Sequence, residues 1–136
     1  MERWDAMFTA RLRSHISSCP YGMPLLQESG YALAVLATFT RGRFNLGDAL
    51  YDVAKNAVCR LASSLAEETK DSDLAFVDVS PGWMAVERMI ELSEKQEMES
   101  VTYVGRAVSD LACDPSVSRL SGQTLSWRPR SDIRLY

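Results

Sequence analysis

The sequence is poor in the residues from which metal sites and disulfide frameworks are built. It holds one histidine, His15, and three cysteines that lie far apart, at positions 19, 59 and 113. Zinc sites need several closely spaced ligands, and disulfide-stabilised proteins carry paired cysteines. The cysteines stand among small and apolar residues. We therefore interpret them as reduced, packed thiols in a cytoplasmic protein, and we expect no metal site.

Long hydrophobic runs and clusters of positive charge are also missing. The longest apolar run, residues 31–37, is too short to cross a bilayer. The first residues include Glu2 and Asp5 and lack the apolar core of a signal peptide. The formal net charge is −3, and no cluster of Lys and Arg could neutralise a row of phosphates. These features predict a protein that binds neither membrane nor nucleic acid.

Glycine is scarce where a nucleotide-binding protein would need it. The seven glycines lie at positions 22, 30, 42, 47, 82, 105 and 122. None of them forms G-x-x-x-G-x-G or G-x-G-x-x-G, the turns whose backbone N–H groups meet the pyrophosphate of a dinucleotide. The sequence therefore contains no recognisable pyrophosphate-binding turn.

The residues that are present predict a single α/β unit. Hydrophobic residues make up 46% of the chain and charged residues 24%, as in soluble proteins with a real core. Apolar runs of strand length at 31–37 and 74–79 flank an amphipathic helical stretch at 50–66. Strand, helix, strand at this spacing predicts a βαβ crossover with two parallel strands, each covered on both faces.

Weaker patterns surround this unit. Residues 4–16 predict an amphipathic helix. Pro20 and Pro24 interrupt the pattern, so we expect the helix to kink or to restart before Leu25 and Leu26, and Gly30 to end it. Residues 84–97 are amphipathic and charge-rich, and Ser100 is placed to cap a helix that Asp114 and the following proline close. We expect residues 127–136 to be an irregular tail.

Tyr51 and Lys55 are the strongest candidates for catalytic residues in the sequence. Four residues apart on the predicted helix, the phenol and the ammonium project from one face, one turn apart. A nearby fixed cation favours the phenolate, which suits proton exchange with a carbonyl or alcohol oxygen. The spacing alone is weak, since a surface tyrosine beside a solvated lysine is the commoner explanation.

Other motifs stand in order around this pair. Thr38 lies thirteen residues before Tyr51 at the end of the first apolar run, and Ser80-Pro81-Gly82 follows the second. Together, from about Trp4 to residue 126, they resemble the catalytic half of the short-chain dehydrogenase/reductase family. The resemblance implies the C-terminal half of a Rossmann-type fold, with about three parallel strands, flanking helices and the first βαβ units missing. We therefore treat residues 1–136 as a single partial domain.

The resemblance also assigns roles to residues. Tyr51 would be the general acid or base, Lys55 would hold the nicotinamide ribose hydroxyls and lower the pKa of the tyrosine, and Thr38 would take the place of the serine that binds the substrate oxygen. The segment expected against the nicotinamide comprises Pro81, Gly82, Trp83 and Met84.

Some positions depart from the family pattern. Arg11 falls where the family has an asparagine, and Val86 falls where a threonine is common. Thr40 is a fallback for Thr38 if the loop shifts register. His15 matches a histidine found in part of the family, and a packed or capping histidine is favoured over a catalytic one.

These inferences define the expected function. By resemblance the chain is an NAD(P)-dependent oxidoreductase of small carbonyl compounds or secondary alcohols, using NAD or NADP, that is truncated and inactive alone. The alternative is a non-catalytic dimerisation or interaction module derived from the same family. In either case the strand at 31–37 would present a free apolar edge, so we expect a homo-oligomer or pairing with a complementary half.

Overall fold

The computed structural model describes residues 2–30, 33–39, 47–92, 98–126 and 134–135. The helices and strands are α1 (Glu2–Phe8), α2 (Ser14–Ser29), β1 (Leu33–Ala37), α3 (Ala49–Glu68), β2 (Ala75–Ser80), α4 (Glu87–Leu92), α5 (Val101–Cys113), β3 (Thr124–Ser126) and β4 (Arg134–Leu135). A π-helical segment, Thr9–Arg13, joins α1 to α2, and a 3-10 turn, Val117–Leu120, precedes β3.

The strands form one sheet in the order β1-β2-β3-β4. β1 pairs in parallel with β2, where Val35 stands opposite Val77, and β2 pairs in parallel with β3, where Val79 stands opposite Leu125. The predicted α/β fold with three parallel strands and flanking helices is therefore confirmed. All six residues of β2 are buried, as expected of a strand that is covered on both faces.

The C-terminal tail was expected to be irregular. Two of its residues, Arg134 and Leu135, form β4, which pairs antiparallel with β3. The rest of the tail, residues 127–133 and 136, lies outside the described residues. This short pairing has no sequence pattern because two residues are too few to show alternation.

The first helical region is longer than predicted. α2 runs through Pro20 and Pro24 and ends at Gly30, whose φ of 70° is the left-handed conformation that glycine adopts without strain. Of the two expected outcomes, a kink or a restart at the prolines, the restart is wrong because the helix continues through both. No residue of α2 is buried, so carbonyls left without a helical partner by the prolines can be hydrated.

The hydrophobic core has two layers, one on each face of the sheet. On one face α2 and α3 cover a cluster made of Leu36, Val58, Ala62, Leu65, Leu74 and Phe76. On the other face α5 covers a smaller cluster made of Val77, Val79, Leu111 and Leu125. Packing of α3 across β1 and β2 places its first turns beside the carboxyl ends of both strands. The predicted site residues lie at this edge.

Ser100 and the segment before it behave largely as predicted. The Ser100 hydroxyl oxygen accepts a hydrogen bond from the backbone N–H of Tyr103 at 3.1 Å and caps α5, which confirms the predicted cap. The helix predicted over residues 84–97 is described as α4 only, and residues 93–97 lie outside the described part of the chain.

Candidate active site

Asp48 fixes the start of the helix that carries the predicted catalytic pair. Its carboxylate accepts a hydrogen bond from the backbone N–H of Tyr51 at 3.2 Å, which satisfies one of the free donors at the beginning of α3. Arg3 of α1 forms an ion pair with the same carboxylate. The ion pair ties α1 to α3, so the position of Tyr51 depends on both helices.

Lys55 is held against the end of the neighbouring strand. Its side chain is half-buried, and Nζ donates a hydrogen bond to the carbonyl oxygen of Ala37, the last residue of β1, at 3.0 Å. An ammonium has three N–H donors, so this bond leaves donors for a ligand. Burial and then the charge of Arg11 lower the pKa of Lys55, while Asp78 and Cys59 raise it.

Thr38 is brought to the same place, but its hydroxyl faces the helix. Thr38 is 2% exposed, and Oγ1 donates a hydrogen bond to the backbone carbonyl oxygen of Lys55 at 2.7 Å and lies 3.3 Å from Sγ of Cys59. The proton expected to go to a substrate oxygen is thus directed to α3. Thr38 joins β1 to the helix turn that carries Lys55. Thr40, the fallback, lies outside the described residues.

The ring of Tyr51 lies between a cation and an aromatic cluster. The guanidinium carbon of Arg11 is 4.9 Å from the ring centroid, within the range of a cation–π interaction. Phe39 meets the ring edge-on, with centroids 6.3 Å apart, and Phe39 in turn meets Trp83 at 5.5 Å. The phenol therefore has a charged face and an apolar edge.

The electrostatics of Tyr51 differ from the prediction. Burial raises the pKa of Tyr51 above its usual value of 10.0, Asp52 and Asp48 raise it further, and only Arg11 is found to lower it. Lys55 was expected in that role, but its ammonium is bonded to the end of β1. Tyr51 is therefore protonated at neutral pH, which suits a general acid that donates to a carbonyl oxygen.

Sequence reasoning missed the contact between Arg11 and the Tyr51 ring. Arg11 was noted only as a replacement for an asparagine. It lies in the π-helical segment, where one turn contains an extra residue, so helical periodicity does not show which way its side chain projects. Such segments are frequent at functional sites, but nothing in the sequence locates this one.

The turn after β2 forms as predicted but is already in contact with another segment. Gly82 has a φ of 75°, which requires glycine, and a Cβ there would lie 2.9 Å from Oε1 of Glu99. The backbone N–H of Glu99 donates to the carbonyl oxygen of Trp83 at 2.7 Å, and Ala85 N–H donates to the Glu99 carbonyl at 2.8 Å. Met84 and Glu99 form a parallel bridge.

Asp78 is a buried carboxyl that the sequence did not single out. It is 0% exposed in the middle of β2, and Oδ2 accepts a hydrogen bond from the hydroxyl of Thr124 at 3.1 Å. Burial raises the pKa of Asp78, opposed by hydrogen bonds with Cys59 and Thr124 and by the charge of Lys55. Burial likewise raises the pKa of the Cys59 thiol to about 11. Asp78, Thr124 and Cys59 therefore form a group of polar side chains between the sheet and the turn of α3 that carries Lys55.

A cavity in the described part of the chain lies elsewhere. It measures about 440 Å³ and lies between α5, the 3-10 turn and β3, where Tyr103, Leu111 and Leu125 are among its lining residues. No predicted site residue lines it, so we do not take it for the active site.

In the described part of the chain no helix is long and apolar enough to cross a membrane. Nor do the described residues include a group of three potential metal ligands.

Comparisons with known proteins bear on the family resemblance and on the fold. No family model matches the sequence. The chain is 28% identical to mouse dehydrogenase/reductase SDR family member 1 and 27% identical to the human protein of that name, over 90% of this chain and 44% of each relative. It thus spans less than half the length of these curated relatives.

Solved structures show the same fold. A short-chain dehydrogenase/reductase family protein superimposes with a TM-score of 0.80 at 20% identity, over 93% of this chain and 56% of that one. Acetoin dehydrogenase from Enterobacter cloacae gives 0.77 at 21% identity, over 96% and 59%. The chain is similar in sequence and in fold to short-chain dehydrogenase/reductases. The predicted resemblance and fold are thereby confirmed, whereas the roles of Tyr51, Lys55 and Thr38 stay predictions.

Proposed function

We propose that Tyr51 and Lys55 are the catalytic pair of an NAD(P)-dependent oxidoreductase site that interconverts a small carbonyl compound and a secondary alcohol. The observation that carries this proposal is the placement of both side chains at the carboxyl end of β1, with Lys55 Nζ fixed on Ala37. Ligands of open α/β sheets bind outside this edge. A neutral tyrosine beside a cation is the arrangement that such proton transfer needs.

Each side chain then has a distinct part in the reaction. Tyr51, protonated at neutral pH, donates its proton to the carbonyl oxygen as negative charge develops there. Arg11, against the ring face, stabilises the phenolate that remains. Phe39 and Trp83 exclude water from one side of the phenol. A bound nicotinamide cofactor would supply or accept the hydride.

The described residues fit one end of that cofactor. Lys55 keeps N–H donors for the ribose hydroxyls, and Gly82 lets a flat ring approach the backbone closely. The carboxylate of Glu99 lies against Gly82 and would have to move aside. Among the described residues no glycine-rich turn meets the pyrophosphate. One solved relative, a 3-ketoacyl-(acyl-carrier-protein) reductase from Brucella melitensis, is complexed with NADH. NAD or NADP is therefore the proposed cofactor. Because Tyr51 and Lys55 both lie at the end of β1, we propose slow turnover by the chain alone in place of the inactivity expected from the sequence.

A titration with the two halves of the cofactor tests this proposal. We expect reduced nicotinamide mononucleotide to shift the backbone amide signals of Tyr51, Lys55 and Gly82 in NMR spectra of the chain, and adenosine monophosphate to leave them unshifted. Lys55→Met should weaken binding roughly tenfold or more, the cost of one charge-assisted hydrogen bond. Lys70→Met is the matched control, because Lys70 is exposed and pairs with Glu67. Equal shifts with both probes, or none with either, would contradict the proposal.

The free edge of β1 supports a proposal about partners. In the described residues β1 pairs only with β2, and Val35 is 36% exposed. A cleft of about 160 Å³ runs between α2 and this edge, and Leu25 and Tyr21 on α2 are exposed. We propose that the edge pairs with a second copy of the chain or with a complementary polypeptide, because an uncovered apolar edge strand is a template for pairing. A cytoplasmic location is proposed with it, from the reduced cysteines.

Sedimentation velocity over a range of concentrations measures this association. We expect the wild-type chain to sediment as a concentration-dependent oligomer, and Val35→Lys to shift it toward monomer, since an edge lysine opposes strand pairing. Val53→Lys, on the exposed side of α3, should leave the distribution unchanged. A wild-type monomer that persists at high concentration argues against self-association and leaves only a complementary polypeptide as the partner. Equal effects of the two variants would show that the edge is not the contact.

A further inference from the structure

Arg11 is a half-buried cation for which the described residues provide no carboxylate partner. Its guanidinium lies 4.9 Å from the Tyr51 ring centroid, and its Nε donates to the sulfur of Met7 at 3.3 Å. The carboxylate at the start of α3, Asp48, is bound to Arg3. A thioether is a weak acceptor, so the strong donors of Arg11 lack an acceptor of matching strength.

Other basic groups stand close to Arg11. Its charge lowers the pKa of Lys55, and the charge of Lys55 in turn lowers the pKa of His15 after burial. Asp78, the carboxyl that offsets Lys55, is completely buried below α3 and cannot reach the site. Arg11 and Lys55 carry like charges, and an anion that binds near both relieves their repulsion.

We propose, on the basis of the proposed function, that Arg11 binds a carboxylate on the substrate, so that the site takes oxo acids or hydroxy acids. A guanidinium pairs with a carboxylate through two parallel hydrogen bonds, which would orient the substrate as well as hold it. The Arg11 guanidinium carbon lies 4.9 Å from the centroid of the ring whose hydroxyl donates the proton, so we place the carboxylate one or two carbon atoms from the reacting carbonyl. This geometry selects 2-oxo and 3-oxo acids over longer ones.

Acetoacetate and its methyl ester form a matched pair of probes. They share the ketone and differ in charge, and neither needs a cofactor to be tested for binding to the full chain by NMR titration. We expect acetoacetate to bind at least about tenfold more tightly than the ester, with signal shifts at Arg11 and Tyr51. Arg11→Gln should remove this preference, and Arg11→Lys should restore part of it, because a lysine keeps the charge but not the paired donors.

Arg13→Gln is the control, since Arg13 is an exposed arginine of the same segment and should leave binding unchanged. Equal binding of acid and ester, or an undiminished preference in Arg11→Gln, would overturn the inference. So would tighter binding of inorganic phosphate than of acetoacetate at the same signals. Failure of the proposed function is distinguished by the mononucleotide titration. If the chain binds acetoacetate through Arg11 but does not bind the mononucleotide, the inference of a carboxylate site stands and the proposed oxidoreductase function fails.

Discussion

Replacing Tyr51 with phenylalanine is expected to slow ketone reduction by the chain at least about 100-fold, the usual contribution of a positioned general acid. The change removes one oxygen atom and leaves the ring that contacts Arg11 and Phe39. The rate is measured with excess NADPH and an activated ketone, 2,2,2-trifluoroacetophenone, whose low barrier makes a weak activity measurable. The uncatalysed rate in the same buffer is subtracted.

The control variant for this experiment is Tyr103→Phe. Tyr103 lies on α5, is partly exposed, and lines the cavity in which no predicted site residue takes part. We expect the wild-type rate in this variant, and we expect both variants to keep the circular dichroism spectrum of the wild type. Turnover that survives in Tyr51→Phe would refute the assignment of the general acid.

Replacing Asp78 with asparagine is expected to stabilise the folded chain at pH 7 by about 2 kcal/mol, because it removes the cost of burying a charge. Burial raises the pKa of Asp78 above 3.8 in the folded state. Below the pKa of the unfolded state, near 3.8, Asp78 is protonated in both states, so burying it costs no charge. As the pH rises through the higher pKa of the folded state, the buried carboxyl becomes charged and the free energy of unfolding falls. The advantage of asparagine should therefore be greatest at neutral pH and vanish near pH 3.

Urea unfolding at pH values from 3 to 8 measures this dependence. Asp73→Asn is the matched control, since Asp73 is an exposed carboxyl just before β2 and should change the free energy of unfolding by less than about 0.5 kcal/mol. A stability difference between wild type and Asp78→Asn that does not change with pH would show that the buried carboxyl carries no charge cost.

The fold was largely predictable because its strands are covered on both faces. The continuous apolar runs at 31–37 and 74–79 are stable only when both faces of each strand are buried. The apolar stripe of the helix between them packs on the sheet, which gives a βαβ crossover. β1, α3 and β2 lie where these patterns predicted them. β4 and the unbroken α2 were not predictable, because they depend on pairing with β3 and on solvent access to carbonyls freed by prolines.

The candidate site was predictable in position and less so in chemistry. The spacing of Tyr51 and Lys55 and the order of the surrounding motifs predicted which segments meet at one edge of the sheet. The direction of the Thr38 hydroxyl, the approach of Arg11 and the pairing of Asp78 with Thr124 are settled by side-chain geometry between residues far apart in the chain. Periodicity and spacing carry no information about such contacts.

Transfer of deuterium from a labelled cofactor tests the proposed reaction most directly. The wild-type chain is incubated with NADPH that carries deuterium at the transferable position and with the prochiral ketone trifluoroacetophenone, and the alcohol is analysed by chiral chromatography and mass spectrometry. We predict deuterium on the carbinol carbon with one enantiomer in excess, and loss of that excess in Tyr51→Phe. Racemic alcohol formed at the rate of the protein-free control would contradict the assignment of Tyr51 and Lys55 as a catalytic pair.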